Sequence, residues 1–175
     1  MKPFLLVLSL CLLAGAASAQ HGLNFDGYFV DKALRVDLYQ VGDAHDEWVT
    51  VDRIVQEPLW PGSTARLLDP FGYGHYALKV YDVADNRLIF SQGFDSLFAE
   101  YRTTGPALAG VKRAFCRPVR FPCPKDPVRL VIERRNKENV LHPMFTQTID
   151  PADYHIITES PAAGDWVFPV QETGN

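Results

Sequence analysis

The sequence predicts an all-β fold, an antiparallel β-sandwich of jelly-roll-like form with one short helical turn. Apolar and polar residues alternate with a period of two over about eight short segments, which is the pattern of half-buried strands. Turn residues separate these segments, and neither a long helical pattern nor an internal repeat occurs. The chain has 175 residues, 47% of them hydrophobic, so one substantial core and a single folded domain are expected.

The first two predicted strands form a pair. Residues 33–41 place alternate apolar side chains on one face, namely Leu34, Val36 and Leu38. Residues 48–55 are the expected partner, and the GDAHDE segment between them is a polar hairpin loop because Gly and Asp supply turn geometry. A short apolar stretch at residues 65–68 then leads into DPFGYG, whose Pro and Gly residues interrupt regular structure.

The clearest hairpin joins residues 75–81 to residues 87–91 through the turn VADN. A later strand at residues 111–121 contains Pro118, which confines this strand to a sheet edge or a bulge. Residues 128–133 and 144–149 form the last hairpin, across the turn RNKEN. The apolar residues that we expect in the core are Val49, Leu78, Val80, Leu88, Phe90, Leu130 and Ile132.

One segment, GFDSLFAEYRTT at residues 93–104, departs from the strand pattern. Its large apolar side chains recur at the i, i+3, i+4 and i+7 spacing of a helix: Phe94, Leu97, Phe98 and Tyr101. Gly93 precedes this stripe, and Gly105-Pro106 is expected to end the helix. The stripe predicts a short amphipathic helix that buries its apolar face on one end of the sandwich.

Three segments divide the chain. Residues 1–19 are typical of an export signal, with Lys2, an apolar run and Ala17-Ser18-Ala19 before the expected cleavage site. Cleavage near Ala19 leaves a domain at residues 20–159 and a linker or tail at residues 160–175, and the protein is expected to be secreted or periplasmic. The apolar run is shorter than the roughly 20 residues of a membrane span. The net charge of −4 offers no basic surface for nucleic acid.

Two cysteines, Cys116 and Cys123, lie beyond the export signal and leave two alternatives. On one extended strand the two residues would be roughly 23 Å apart and on opposite faces, too distant for a disulfide. A bend at the neighbouring prolines would allow a bridge, which an exported protein has the oxidising conditions to form. The chain therefore carries either one disulfide or two free thiols.

No catalytic motif is found in the sequence. A zincin site requires HExxH, which is absent, and the histidines of the folded part are scattered: His45, His75, His142 and His155. Ser96 lacks a nucleophile elbow, and Asp95 with Glu100 resembles a solvated helix edge more than a glycosidase carboxylate pair. The acids of HDE and YDVADN suit turns better than calcium binding. The sequence therefore predicts no catalytic residue, no metal ligand and no cofactor.

Aromatic residues offer a binding alternative. Trp48, Trp60 and Trp166, together with seven tyrosines, would form a platform for sugar rings or a peptide if they were exposed and coplanar. Aromatic residues in a sandwich otherwise belong to the core. The first possibility corresponds to a free-standing secreted module that binds glycan or protein.

The order of three segments resembles the N-terminal domain of secreted IgA-peptidase-type zinc metallopeptidases. These are LRVDLYQVGDAHDE, LLDPFGYGHYALKVYDVADNRLIFSQGFDSLFAEYRTT and RFPCPKDPVRLVIERRNKENVLHPMFTQTIDP. The resemblance covers roughly residues 25–155. Its most specific parts include the block at residues 93–104, with Gly93, Phe94, Asp95, Phe98, Glu100 and Tyr101.

The resemblance implies an extracellular β-sandwich that precedes a catalytic domain with the HExxH zinc site. That catalytic part is expected to begin about where this sequence ends, at Asn175, so no zinc ligand is assigned here and zinc is expected only in the catalytic domain. The leading hypothesis is a noncatalytic accessory domain that docks or orients the catalytic domain in cis, or its protein substrate. The block at residues 93–104 is then expected to serve packing.

Overall fold

A computed structural model describes residues 23–160, which form two four-stranded sheets packed as a sandwich. The strands are β1 Phe29–Gly42, β2 Glu47–Glu57, β3 Tyr76–Asp82, β4 Leu88–Phe94, β5 Arg113–Pro124, β6 Val128–Arg135, β7 Leu141–Ile149 and β8 Ile157–Thr158. The described helices are short: α1 Phe25–Tyr28, α2 Leu97–Tyr101 and α3 Gly105–Leu108. The predicted all-β sandwich is therefore confirmed, with three short helices in place of one helical turn.

The first sheet has the strand order β5-β1-β2-β8, and the second has the order β4-β3-β6-β7. Neighbouring strands are antiparallel, except that β8 pairs in parallel with β2 at Val55 and Gln56. The predicted pairing of residues 33–41 with 48–55 and both later hairpins are confirmed. The alternating apolar side chains of each strand meet between the sheets.

The core prediction is confirmed at six positions and wrong at one. Val49, Leu78, Val80, Phe90, Leu130 and Ile132 are buried. Leu88 is only half-buried, and Ile89 takes its place with 1% of its surface exposed. The reason is a β-bulge: Val80 pairs with Phe90 but Tyr81 pairs with Leu88, so Ile89 is an extra residue that shifts the inward and outward faces.

Two further expectations about strands differ from the structure. Residues 65–68 form no strand; they run along the edge of β4, where Leu67 is buried and its carbonyl accepts a hydrogen bond from Ser91 N at 3.0 Å. Strand β8 was not expected, because its two residues are both exposed and carry no alternating pattern. Both segments depend on partners distant in sequence.

Strand β5 forms one edge of the first sheet, as the position of Pro118 predicts. Proline has no N–H to donate, so it is accommodated where its nitrogen faces away from β1. The even-numbered residues of β5, which include Pro118, Pro122 and Pro124, therefore point their backbone groups to the outer edge. Cys116 and Cys123 both lie on this strand as free thiols, the first exposed and the second buried.

The two ends of the sandwich differ. The capped end contains the β1–β2 turn, the start of β3, the end of β6 and helices α2 and α3. The exit end contains the last residues of β2, where β8 pairs with Val55 and Gln56 before the described chain ends at Ser160. Because β2 rises about 3.3 Å per residue, Glu47 and Glu57 are roughly 30 Å apart, and this separates the two ends.

None of the helices within residues 23–160 has the length and apolar character needed to cross a bilayer. The expected export signal at residues 1–19, the tail after Ser160 and Trp166 lie outside the described residues.

Candidate functional site

A buried carboxylate lies at the capped end, where the two sheets and the helices meet. The side chain of Glu47, the first residue of β2, is 0% exposed. Its Oε2 accepts hydrogen bonds from Arg102 Nη1 at 3.0 Å and from Arg134 Nη1 at 2.9 Å, and its Oε1 accepts one from Tyr76 Oη at 2.8 Å. A charge that is removed from water requires such partners. Glu47 thus connects the first sheet to the second sheet and to the segment after α2.

The hydroxyl of Tyr76 and the amide of Gln40 complete the surroundings of Glu47. Tyr76 is fully buried, and this burial together with the nearby carboxylate raises its pKa above the usual range. Tyr76 is therefore a neutral hydrogen-bond donor. Gln40 Nε2 approaches Glu47 Oε1 at 3.4 Å, while Gln40 Oε1 has no hydrogen-bond partner among residues 23–160.

Helices α2 and α3 cover the capped end as a small separate apolar cluster. Its buried members are Phe98, Tyr101 and Ala107, packed against Ala44 and Phe115. Tyr101 Oη donates to the Val111 carbonyl at 2.6 Å, and the guanidinium of Arg102 donates to the Ala44 carbonyl at 3.0 Å. The predicted helix is thus present, and two of its four apolar residues are buried in it.

Three details of that helix prediction are wrong. Phe94 belongs to β4, where it stacks on Tyr76 with ring centroids 5.4 Å apart, and Leu97 is 67% exposed. Helix α2 already ends at Tyr101, and Gly105-Pro106 begins α3 instead of ending α2, because proline at the first turn of a helix needs no hydrogen-bonded N–H.

The expected signature residues serve packing and hydrogen bonding. Gly93 N donates to Asp69 Oδ2 at 3.0 Å, and a Cβ at Gly93 would lie 1.7 Å from the Tyr73 carbonyl oxygen, so no side chain fits there. Asp95 Oδ1 accepts a hydrogen bond from His75 N at 2.8 Å. Phe98 is fully buried. Asp95 and Glu100 are the exposed members of this set.

The β1–β2 turn, which the sequence predicts as a polar loop, is closed by Asp43. Its Oδ1 accepts the backbone N–H groups of His45 and Asp46, and its Oδ2 accepts a hydrogen bond from Lys112 Nζ at 2.8 Å. The ammonium of Lys112 and these two donors hold the pKa of Asp43 well below its usual range. This arrangement fixes the turn that carries Glu47 into the capped end.

A second loop at this end presents two aromatic rings to solvent. Phe71 and Tyr73 are 71% and 76% exposed, and their rings stack with centroids 5.6 Å apart and an angle of 8°. Asp69 Oδ1 accepts the N–H groups of Phe71 and Gly72, and Arg135 Nε donates to the Gly74 carbonyl at 3.0 Å. The loop is therefore held from both sides while its aromatic rings remain free.

Trp48 and Trp60 do not form the platform that the sequence allowed. Trp48 is 44% exposed on β2, with Lys112 Nζ 5.5 Å from its ring centroid. Trp60 is half-buried beyond the other end of β2 and packs edge-on against Phe90 in the core. The two rings thus have different neighbours, Lys112 for Trp48 and Phe90 for Trp60.

Candidate chemical residues are also placed by the structure. Glu47 of the HDE segment is paired with two arginines and has no exposed surface for calcium. Asp95 and Glu100 line one open groove of 740 Å³ beside His75 and Arg102, but Asp95 is engaged by the His75 backbone. Burial raises the pKa of the Cys123 thiol and disfavours a nucleophilic thiolate. Within residues 23–160, no three His, Cys, Asp or Glu side chains are grouped to hold a metal ion.

Sequence reasoning missed the residues that organise this end. Arg102 and Arg134 are 55 and 87 residues from Glu47 in the chain, so no local pattern links them. The DPFGYG segment gave a partial signal, since two aromatic residues alternate there with turn-forming glycines.

The fold and the site together define a β-sandwich domain in which buried polar residues connect the two sheets to helices α2 and α3. The family model described as Peptidase M64 N-terminus matches residues 24–146. This range is more than half of the chain, which therefore belongs to that family, as its resemblance to IgA-peptidase-type enzymes predicts. The matched part is the N-terminal domain of these peptidases and not their catalytic part. A search of curated proteins found no match.

Proposed function

We propose that this chain is a noncatalytic accessory domain of a secreted zinc metallopeptidase, which binds the protein substrate or docks the catalytic domain. The observation that carries the proposal is the match to the peptidase N-terminal family over residues 24–146. The polar residues at the capped end support it, because Glu47, Arg102 and Tyr76 are used in mutual hydrogen bonds. A buried, fully paired carboxylate is suited to a structural role, in which it fixes the elements that carry the surface.

The stacked pair Phe71–Tyr73 is the contact surface that we assign to the protein partner. Exposed aromatic side chains on a fixed backbone lose little conformational entropy on binding, and tyrosine is enriched at interface hot spots. The loop is fixed by Asp69 and Arg135, as its hydrogen bonds show. The pair lies at the capped end, roughly 30 Å along β2 from the exit end. A catalytic domain that follows the exit end leaves this surface open to a protein substrate.

The proposal is tested by binding and cleavage assays on the purified chain. Immunoglobulin A and a separately purified HExxH catalytic domain of the Peptidase M64 family are the two binding probes in biolayer interferometry. We expect the chain to bind at least one probe, and the double variant Phe71→Ser/Tyr73→Ser to bind roughly tenfold or more weakly. Val83→Ser, which alters a 50% exposed residue in the turn at the exit end, is the control and should change affinity less than about twofold.

The outcomes separate the parts of the proposal. Binding that is unchanged in the double variant would move the contact surface elsewhere, and binding to neither probe would refute the accessory role. Cleavage of immunoglobulin A by the chain alone, if a chelator abolished it, would show that the chain is an enzyme.

The second candidate function, a free-standing secreted module for glycans, is favoured by the same exposed rings. Aromatic faces stack on sugar rings without any need for a neighbouring charge. A glycan array with the full chain distinguishes the two. Signals that disappear in Phe71→Ser/Tyr73→Ser, combined with no binding to either protein probe, would support the glycan module over the accessory domain.

A further inference from the structure

The edge strands of the two sheets differ in how well they are protected from pairing with another strand. In the first sheet, β5 carries three prolines, and β8 at the other edge has only two residues. The part of β2 that β8 leaves uncovered carries the charged residues Asp52 and Arg53 and a bulge opposite Asp37. Prolines, charges, bulges and short strands are the features by which proteins prevent edge pairing.

The second sheet has one covered edge and one open edge. Along β4, Ser91 N donates a hydrogen bond to the Leu67 carbonyl at 3.0 Å. On the same side, Gly93 N donates to Asp69 Oδ2 at 3.0 Å. The opposite edge is β7, which has nine residues, and none of the described residues forms a strand on its outer side.

The last six residues of β7 lack the features that protect the other edges. Residues 144–149 have the sequence MFTQTI, which contains neither a charged residue nor a proline. Threonine, phenylalanine and isoleucine also have a high strand propensity. An uncharged edge of this composition favours pairing with a further strand.

The hydrogen bonds of β6 show which of its backbone groups point toward β7. Backbone groups of successive residues in a strand point to opposite sides. Arg135 N donates to the His75 carbonyl at 2.8 Å, on the side of β3. Asn136 N donates to the Val140 carbonyl at 2.9 Å, on the side of β7. The even-numbered residues of β6 therefore point their backbone groups toward β7.

Thr146 and Thr148 carry the free backbone groups of this edge. Gln147 lies opposite Leu130, an even-numbered residue of β6, so the N–H and C=O groups of Gln147 point toward β6. The corresponding groups of Thr146 and Thr148 point away from the sheet and can bond to an added strand. Both threonine side chains are exposed, on the outer face of the sheet.

The sequence of this edge is complementary to itself. If a second copy pairs antiparallel about a two-fold axis at Gln147, Thr146 of each copy lies opposite Thr148 of the other, and these residues exchange backbone hydrogen bonds. On the other face, Phe145 of each copy lies opposite Ile149 of the other. Thr–Thr pairs and aromatic–β-branched pairs are both favourable across strands. The pairing also places no like charges opposite each other.

We propose that two copies of this chain pair along the outer edges of their β7 strands, antiparallel and about a two-fold axis at Gln147. Such a contact uses the same surface of both copies and therefore closes at a dimer. The self-complementary, uncharged strand selects a second copy as the occupant of this edge. The inference goes beyond the accessory role and does not depend on it.

The first test is sedimentation of the purified full chain over a series of concentrations. We expect a reversible equilibrium between one and two copies. In parallel, hydrogen exchange of the ¹⁵N-labelled chain is followed by NMR. The amides of Thr146 and Thr148 should exchange more slowly as the concentration rises, whereas the amide of Gln147 should not change, because it already points toward β6.

A pair of double variants tests the register. Thr146→Lys/Thr148→Lys places like charges opposite each other and should weaken dimerisation roughly tenfold or more. Thr146→Lys/Thr148→Glu places a lysine opposite a glutamate in both pairs and should restore dimerisation to within about threefold of the wild type. Both threonines are exposed, so both variants should fold, which circular dichroism verifies.

The control adds the same charge to other exposed strand positions. Thr50→Lys/Gln92→Lys alters one residue of β2 and one of β4. This variant should dimerise within about twofold of the wild type, because neither residue lies on β7. An effect as large as that of Thr146→Lys/Thr148→Lys would assign the loss to net charge and overturn the proposal.

The other outcomes are equally clear. A chain that stays monomeric at every concentration would overturn the proposal. Slow exchange of Thr146 and Thr148 in such a monomer would show that another segment of the same chain covers β7. A dimer that persists in Thr146→Lys/Thr148→Lys would form through another surface, and failure of the Lys/Glu variant to restore it would overturn the two-fold register.

Discussion

At the scale of single residues, Glu47 shows how one buried charge organises three parts of the molecule. Its carboxylate lies on the first sheet and accepts hydrogen bonds from Tyr76 and Arg134 of the second sheet and from Arg102 after α2. Removing one member of a buried ion pair leaves the others uncompensated, which costs more than the pair contributes. Glu47 is therefore the residue at which a conservative substitution should matter most.

We predict that Glu47→Gln lowers the free energy of unfolding by about 3 kcal/mol, near the lower end for a buried ion pair because Arg134 retains access to water. Urea unfolding followed by tryptophan fluorescence measures this change. Glu100→Gln alters an exposed carboxylate in the same region and should stay within about 0.5 kcal/mol of the wild type. Equal effects of the two substitutions would contradict the role given to Glu47.

Asp43 is the residue whose titration we expect to affect stability. Its pKa is held below the usual value by Lys112 and by two backbone donors, so the ionised form is favoured in the folded state. That stabilisation is fully present above the unfolded pKa of about 3.9 and is lost as the pH falls from there toward the folded pKa. We therefore predict that Asp43→Asn is less stable than the wild type at pH 6 and that the difference shrinks below pH 3.

Urea unfolding at both pH values measures this difference between Asp43→Asn and the wild type. Asp52→Asn, at a 48% exposed carboxylate on β2, serves as the control and should show little pH-dependent difference. A difference for Asp43→Asn that stays constant with pH would refute the assigned linkage.

At the scale of elements, the contact between β4 and the aromatic loop depends on the absence of a side chain. Gly93→Ala would place a Cβ 1.7 Å from the Tyr73 carbonyl oxygen, whereas nothing lies within 4 Å of a Cβ at Gly105. We predict that Gly93→Ala destabilises the fold by more than about 3 kcal/mol, and that Gly105→Ala in α3 is neutral or slightly stabilising. Thermal unfolding of both variants tests the pair, and comparable melting temperatures would contradict it.

The same scale shows what periodicity can predict. Strands β1, β2, β3 and β6 follow their alternating patterns because two faces with different surroundings impose a period of two. The helical stripe was only partly right, since a five-residue helix has too few turns to bury four side chains and Phe94 is claimed by its stacking on Tyr76. The bulge at Ile89 leaves no mark in the sequence, because Leu88, Ile89 and Phe90 are all apolar.

At the scale of the whole molecule, the described residues form two separate apolar clusters. The larger cluster lies between the sheets, and the smaller one, with Phe98, Tyr101 and Ala107, lies under α2 and α3. Small clusters open locally at lower free energy than the main core. The helical cap should therefore open while the sandwich remains folded.

We predict that hydrogen exchange is faster in residues 97–108 than in β1 under native conditions. Tyr101→Phe removes the hydrogen bond to the Val111 carbonyl and should accelerate exchange in this cap alone. Mass spectrometry of proteolytic fragments resolves the two regions. Simultaneous exchange of the cap and β1 would show one cooperative unit instead.

The candidate site was harder to predict from the sequence than the fold was. Alternation is a local property, but the hydrogen bonds of Glu47 join residues 29, 55 and 87 positions apart, and the free rings of Phe71 and Tyr73 depend on braces from Asp69 and Arg135. The family resemblance singled out the block at residues 93–104 but did not explain why these residues are required. Those reasons are steric at Gly93 and cohesive at Phe98.

The prolines along β5 bear on whether the domain aggregates at high concentration. An exposed edge strand can pair with a strand of another molecule, which is the first step toward fibrils. Pro118, Pro122 and Pro124 remove three donors from that border, so any guest strand would meet gaps where it needs partners. This edge therefore lacks the continuous row of hydrogen-bond donors that strand-by-strand polymerisation requires.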